Sequence, residues 1–316
     1  MKHKQTNSHA KQNPDTGSQG GNKSKIQQNG KQSNSKHYKY VYDATKKDYY
    51  SSLEGLKGDE LFKAVYKNQQ KYVSELRSKS SYSNLYNIYS KAFIDKYYEK
   101  DGTILDIYSE VADGNDPYEF PVGYYDGSGS KGHLNKKSNG EGFKYNREHM
   151  IPQSWFEKVE PTKFDAHFVW PSDKKVNEWR GNNPHFNVQS PTKTSLNGTK
   201  IGKKYTEPVN IFKGDTARAY FYFQITHKNA IHGKSKEVFK KAYPYFSDQF
   251  LNVYKEWADF DPVDIIEVDR NNIIAEYEGG LRNPFIDYPE LIDLIWGDSS
   301  KTFVNKGVLK IVENVS

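Results

Sequence analysis

The sequence has no cysteine, which excludes disulfides, iron–sulfur clusters, thiolate zinc sites and a cysteine nucleophile. Any catalysis must rest on His, carboxylates, amides, Arg or Lys. No apolar run approaches the ~20 residues that a membrane-spanning helix needs, and no hydrophobic signal segment opens the chain. Met1 followed directly by a polar stretch suits a cytoplasmic protein or an exported one written without its leader, and the second is favoured. Apolar residues are scarce at 35%, yet aromatics reach 15% with 25 Tyr, so a Tyr-rich core is expected.

A clear excess of one charge is also lacking. Lys and Arg number 46 against 40 Asp and Glu, but residues 1–36 hold seven Lys and one Asp and so carry the whole +6. The rest of the chain has 39 charges of each sign, and its basic pI therefore does not by itself announce a nucleic-acid surface. Any basic groove must come from how the charges are arranged.

Three regions are expected: a disordered tail over 1–36, a catalytic domain over 37–300, and a C-terminal extension over 301–316. The tail is Lys, Gln, Asn, Ser and Gly with one Ile and no aromatic, and it cannot offset chain entropy by burial. Beyond it, Leu53, Leu56, Leu61, Val65, Tyr72 and Leu76 recur at helical spacing. A second helix is expected over 84–98, a strand over 105–111 and a long exposed loop over 123–142. Two strands over 143–149 and 164–170 and a helix over 172–180 then give the order strand, strand, helix. A polar loop over 182–206 leads to helices over 215–227, 237–257, 262–276 and 289–295. Without an internal repeat, this mixture points to an α+β fold.

The central block carries the chemistry. Hydrolysing a phosphodiester needs a base for water, a cation against the charge on phosphorus, and stabilisation of the leaving oxygen. His149 can serve as the base, and Glu148 and Asn177 offer the hard oxygens that Mg²⁺ accepts while keeping most of its waters. Neighbours on a regular strand point to opposite faces, so the strand must end or twist at Glu148 and His149 for both to reach one cleft. On the following helix Asp173, Asn177 and Arg180 share a face. Arg180 could hold a phosphate or pair with a carboxylate.

Several other residues have competing readings. Asn182 rivals Asn177 as a ligand. Asp165 and His167, two apart, could orient the site or satisfy buried polar groups, and structural support is the favoured reading. Asp215 and Arg218, at i and i+3, are expected to pair within a helix. The spacing of 18 that separates His149, His167 and His185 matches no zinc pattern and is coincidence.

The run Asn146-Arg147-Glu148-His149-Met150-Ile151-Pro152-Gln153-Ser154-Trp155-Phe156 resembles the signature of the endonuclease I family. Three later blocks agree in order: 165–182, 213–218 and 282–290. The resemblance runs over roughly residues 40–297. It implies a ββα-metal (His-Me finger) core within a mainly helical single domain, cutting DNA and RNA with little sequence preference to leave 5′-phosphate and 3′-hydroxyl ends. By position, His149 matches the general base and Glu148 and Asn177 match the ligands of one Mg²⁺, with Mn²⁺ or Ca²⁺ as alternatives. DNA and RNA would be gripped through backbone phosphates, and a monomer, secreted or held at a bacterial surface, is expected.

The chain departs from the family at three places. No Arg lies between Met150 and Val176, so Lys158, Lys163 or Arg180 would have to meet phosphate. Glu278-Gly279-Gly280-Leu281 replaces a tighter turn, and Tyr288 stands where His is usual. Two rival readings are a capture protein without turnover, which would show a damaged Glu-His-Asn set, and a structure-specific nuclease, which would need an added recognition domain.

Overall fold

The computed structural model describes residues 38–122, 131–132, 140–231, 233–235, 237–298 and 300–315. The tail expected over 1–36 lies outside these residues, as does most of the loop expected over 123–142. In chain order the elements are β1 (Tyr38–Asp43), α1 (Gly58–Lys79), α2 (Leu85–Ala92), β2 (Lys131–Gly132), β3 (Lys144–His149), β4 (Val169–Asp173) and α3 (Lys174–Arg180). Short strands β5 (Lys193–Thr194), β6 (Lys200–Ile201) and β7 (Thr206–Glu207) follow. Then come α4 (Lys213–His227), α5 (Asp248–Phe260), α6 (Ile265–Tyr277), α7 (Pro284–Asp287), α8 (Leu291–Trp296) and β8 (Val308–Asn314). The protein is mixed α and β, and no helix among the described residues is long and apolar enough to cross a membrane.

The centre is α4. Every residue from Gly214 to His227 is buried, including the consecutive Tyr220, Phe221, Tyr222 and Phe223. A helix buried around its whole circumference is enclosed on all sides, and α1 and α5 are among the elements that pack against it. Gly214 makes the tightest approach: a Cβ there would lie 1.9 Å from the Asp261 carbonyl oxygen. The anticipated Asp215–Arg218 pair does not form within the helix. Arg218 instead holds both oxygens of Glu267, at 2.7 and 2.6 Å, while Asp215 accepts from Arg270 at 2.8 Å. Both ion pairs tie α4 to α6.

The first and last strands among the described residues form an antiparallel pair, β1 with β8, running from Tyr38 opposite Asn314 to Asp43 opposite Val308. Residues 301–316, set apart as an extension, thus supply a partner strand. Beneath it Arg282 grips Asp287 through two bonds of 2.7 Å.

The unit that positions the site is β3, β4 and α3. β3 pairs antiparallel with β4, Glu148 opposite Trp170 and His149 opposite Val169. The chain passes straight from β4 into α3, whose N-cap is Asp173: its Oδ1 accepts from the Lys175 and Val176 amides at 2.8 and 2.9 Å. Asp173 therefore starts the helix and does not share a functional face with Asn177.

Several expected elements differ, among them the helix expected over 84–98, which ends at Ala92. Residues 105–111 form a turn, because Asp106 draws in the Tyr108 amide with its side chain and the Ser109 and Glu110 amides with its carbonyl. Residues 164–168 are likewise a turn, and the second strand begins only at Val169. The helix expected over 237–257 starts at Asp248, since Pro244 breaks the pattern and Phe239 bridges Phe246.

Candidate active site

β3 ends at His149, and that ending lets adjacent side chains serve one cleft. The cleft, about 240 Å³, is lined by Tyr82, Arg147, Glu148, His149, Asn177 and Arg180, with Asn146, Gln153 and Asn182 at its margins. The structure thus brings together Glu148, His149, Asn177, Arg180 and the rival Asn182. Asp165, His167 and Arg218 do not line it.

His149 is buried, and its Nε2 donates to the Lys163 carbonyl at 2.9 Å. That bond leaves Nδ1 as the unprotonated nitrogen, and among the described residues it takes no hydrogen bond. Burial pushes the imidazole down to about 4, helped by the charges of Arg147, Arg180 and Lys163 and opposed by the Lys163 carbonyl. The ring is neutral at pH 7.

Glu148 is held at both oxygens. Arg180 Nη1 donates to Oε1 at 2.6 Å and Tyr108 Oη to Oε2 at 2.8 Å. Burial raises its carboxyl above the usual range, and Arg180 and Tyr108 oppose that shift. Arg180 is itself buried and fully engaged, donating also to the carbonyls of His149, Met150 and Asn183, each at 2.7 Å. Of its two roles left open by the sequence, the carboxylate pair is the one formed.

Asn177 is oriented by its amide nitrogen, which donates to Asn146 Oδ1 at 2.9 Å and to the Arg147 carbonyl at 3.3 Å. Two acceptors fix that assignment and turn Oδ1 outward without a donor among the described residues. A carboxylate and an amide oxygen on one polar cleft wall fit a hard cation such as Mg²⁺, which needs few protein ligands.

With Arg180 neutralised, Arg147 is the other cation on the cleft lining, and Lys163 packs beside it on Tyr82. The Arg147 guanidinium lies 3.6 Å from the Tyr82 ring centre and the Lys163 ammonium 4.4 Å from it. The same Tyr82 ring lies 6.1 Å from the His149 ring, nearly parallel to it. Sequence reasoning singled out Lys163 but passed over Arg147, although it sits inside the quoted motif. It missed Tyr82 and Tyr108 altogether, since each meets the site across at least 40 residues of chain.

The supporting residues lie one layer behind. Asp165 Oδ2 accepts from His227 Nε2 and Tyr222 Oη, both at 2.6 Å, and Oδ1 accepts from the His167 amide at 2.9 Å. His227 Nδ1 also meets Thr162 Oγ1 at 3.1 Å. His167 Nε2 donates to the Leu281 carbonyl at 2.7 Å, and burial depresses its ring to about 4. These groups clamp the 162–165 turn against α4, and that turn presents the Lys163 carbonyl to His149.

A neutral imidazole, two hard oxygen donors and the Arg147 guanidinium on one polar cleft, with Lys163 packed on the Tyr82 that lines it, are the parts of a hydrolytic centre for an anionic substrate. The model of one family, described as Endonuclease I, matches residues 52–290, and the chain belongs to that family. It is 34% identical to the extracellular ribonuclease of Bacillus amyloliquefaciens over 166 residues, which is 51% of this chain and 56% of that protein. With the extracellular ribonuclease of Bacillus subtilis (strain 168) it shares 35% over 158 residues, 48% and 54% of the two chains. The chain thus spans about half the length of the curated relatives it matches.

Proposed function

We propose that this protein is a secreted, metal-dependent nuclease that hydrolyses phosphodiester bonds in RNA and DNA with little regard to sequence. The observation that carries the reading is the tethered imidazole: Nε2 donates to the Lys163 carbonyl at 2.9 Å, so Nδ1 remains as the free base in the Glu148–Asn177 cleft. The relatives' description as extracellular ribonucleases supports RNA as a substrate and export as the destination. Deoxyribose tolerance is the family resemblance extended to this chain, as are 5′-phosphate and 3′-hydroxyl products.

In this reading His149 Nδ1 takes a proton from water, and the water attacks phosphorus in line with the leaving 3′ oxygen. The anionic phosphate favours the imidazolium, so the basicity of His149 rises once substrate is bound. Mg²⁺ held by Glu148 and Asn177 would neutralise charge on the phosphate and stabilise the departing oxygen. Arg147 and Lys163 meet the flanking phosphates, the role for which Lys163 was one candidate. Arg180 keeps Glu148 ionised and aimed, acting through the carboxylate. Asp165 and His167 act as support. The β3–β4–α3 unit is the ββα-metal core on this reading.

The test is digestion of plasmid DNA and a structured RNA with Mg²⁺ or excess EDTA, by wild type and by His149→Ala. Degradation that needs both metal and His149 is expected, with a smear of products. Wild-type turnover by the variant would sink the assignment of the base.

A further inference from the structure

Behind the cleft wall, the chain from Asp95 to Asp116 gathers acidic groups that form no ion pair among the described residues. Asp95 is saturated: Oδ1 accepts the Tyr97 and Tyr98 amides at 3.0 and 2.9 Å, and Oδ2 those of Glu99 and Lys100 at 2.9 and 3.2 Å. Its carboxylate folds the loop and brings Glu99 beside Glu110. The ligand-type atoms of Asp95, Glu99 and Glu110 all lie within 4.8 Å of one another. Asp116 stands close by, its Oδ1 held by the Val111 amide at 2.8 Å.

Glu110 is 1% exposed, and among the described residues neither of its oxygens meets a donor. Glu99 Oε2 is likewise buried without a partner among them. Among the described residues, no Lys, Arg or His forms an ion pair with any of the four acids. Burial, then the charges of Asp116, Asp95 and Glu99, push the Glu110 carboxyl up to about 10. A buried acid surrounded by acids is costly in this state, and only a bound cation or captured protons relieve it.

We infer that Glu99 and Glu110, with Asp116 alongside and the Asp95 loop as scaffold, form a structural Ca²⁺ site separate from the cleft. Oxygen donors on an irregular loop suit Ca²⁺, which takes six to eight such ligands in adaptable geometry. Zn²⁺ would call for His or Cys, and the cluster has neither. Water and backbone carbonyls would complete the shell. The site has a route to the cleft: Glu110 closes the Asp106 turn, and that turn carries Tyr108, the donor to Glu148 Oε2. The site does not depend on the nuclease reading.

The test is calorimetric titration of CaCl₂ into the metal-stripped full chain, for wild type, Glu110→Gln and Glu99→Gln. Wild type is expected to take up one Ca²⁺ more than either variant, which separates this site from any binding at Glu148. Thermal melts should show wild type rising by about 5–10 °C at calcium a hundredfold above Kd, and the variants losing that rise. Equal stoichiometry in all three proteins would overturn the site. So would a wild type that binds no calcium beside a Glu110→Gln variant that melts higher, because the acids would then share protons instead of a metal.

Discussion

Replacing Arg180 by Met separates two roles that one guanidinium could play. The side chain is buried with Glu148 and makes four hydrogen bonds, one to Glu148 Oε1 and three to the carbonyls of His149, Met150 and Asn183. Removing one partner of a buried ion pair costs about 3–5 kcal/mol, because the survivor is left charged and desolvated. Set against a typical stability of about 5–15 kcal/mol, that is a large fraction. With roughly 2–4 °C lost per kcal/mol in a domain of this size, the melting temperature should fall by roughly 6–20 °C.

The loss should also depend on pH. Without Arg180, the folded-state pKa of Glu148 rises further above its unfolded value, so the carboxyl is neutral in the fold over a wider range. A raised carboxyl pKa lowers stability as pH climbs through that range. The gap between Arg180→Met and wild type should therefore be wider at pH 8 than at pH 5, measured by urea unfolding at both. If the variant loses under about 1 kcal/mol while cleavage collapses, the reasoning fails, and Arg180 is a substrate clamp instead of a brace for Glu148.

Three further outcomes are expected. Arg147→Ala should fold normally and lose roughly tenfold in kcat/KM, with the salt dependence of binding flattened by about one phosphate contact; an unchanged salt slope would remove Arg147 from the substrate path. Tyr108→Phe takes one donor from Glu148, and the Mg²⁺ concentration for half-maximal activity should rise about 10- to 100-fold, as for other residues that orient a ligand; an unaltered metal requirement would count against it. His149 is pushed down to about 4 chiefly by burial, so the acid limb of kcat/KM, which reports the free enzyme, should lie well below the ordinary imidazole value. Activity should hold as pH falls from 7 to 5, and a limb at 6.5 or higher would contradict a buried neutral base.

The grouping of the candidate site residues in one cleft was legible because they lie close together along the chain. Glu148, His149 and Asn177 fall within one strand–strand–helix stretch, and the first strand, expected over 143–149, forms as Lys144–His149. The need for that strand to end at the Glu-His pair followed from side-chain alternation alone. Errors arose where side chains override an apolar rhythm. Leu105 to Val111 alternates like a strand, but Asp106 captures amides ahead of it and also accepts from the Asp173 amide at 3.0 Å. Partners across long loops left no local signal: Tyr108 reaches Glu148, and Tyr82 lies beside His149, only after the fold is closed.

The same contrast explains how the His149 imidazole is held. Its tether is a backbone carbonyl, and a carbonyl is aimed by its turn, whatever side chain the residue bears. The Lys163 ammonium can therefore pack on Tyr82 while the residue's main chain fixes the His149 tautomer. The turn is in turn secured by Thr162 and Asp165, through His227 and Tyr222 from the enclosed helix α4. Burial of α4 thus does more than fill the core. It gives the 162–165 turn an anchor with little freedom to move, so the imidazole one layer further out inherits its orientation from the most deeply packed element of the protein.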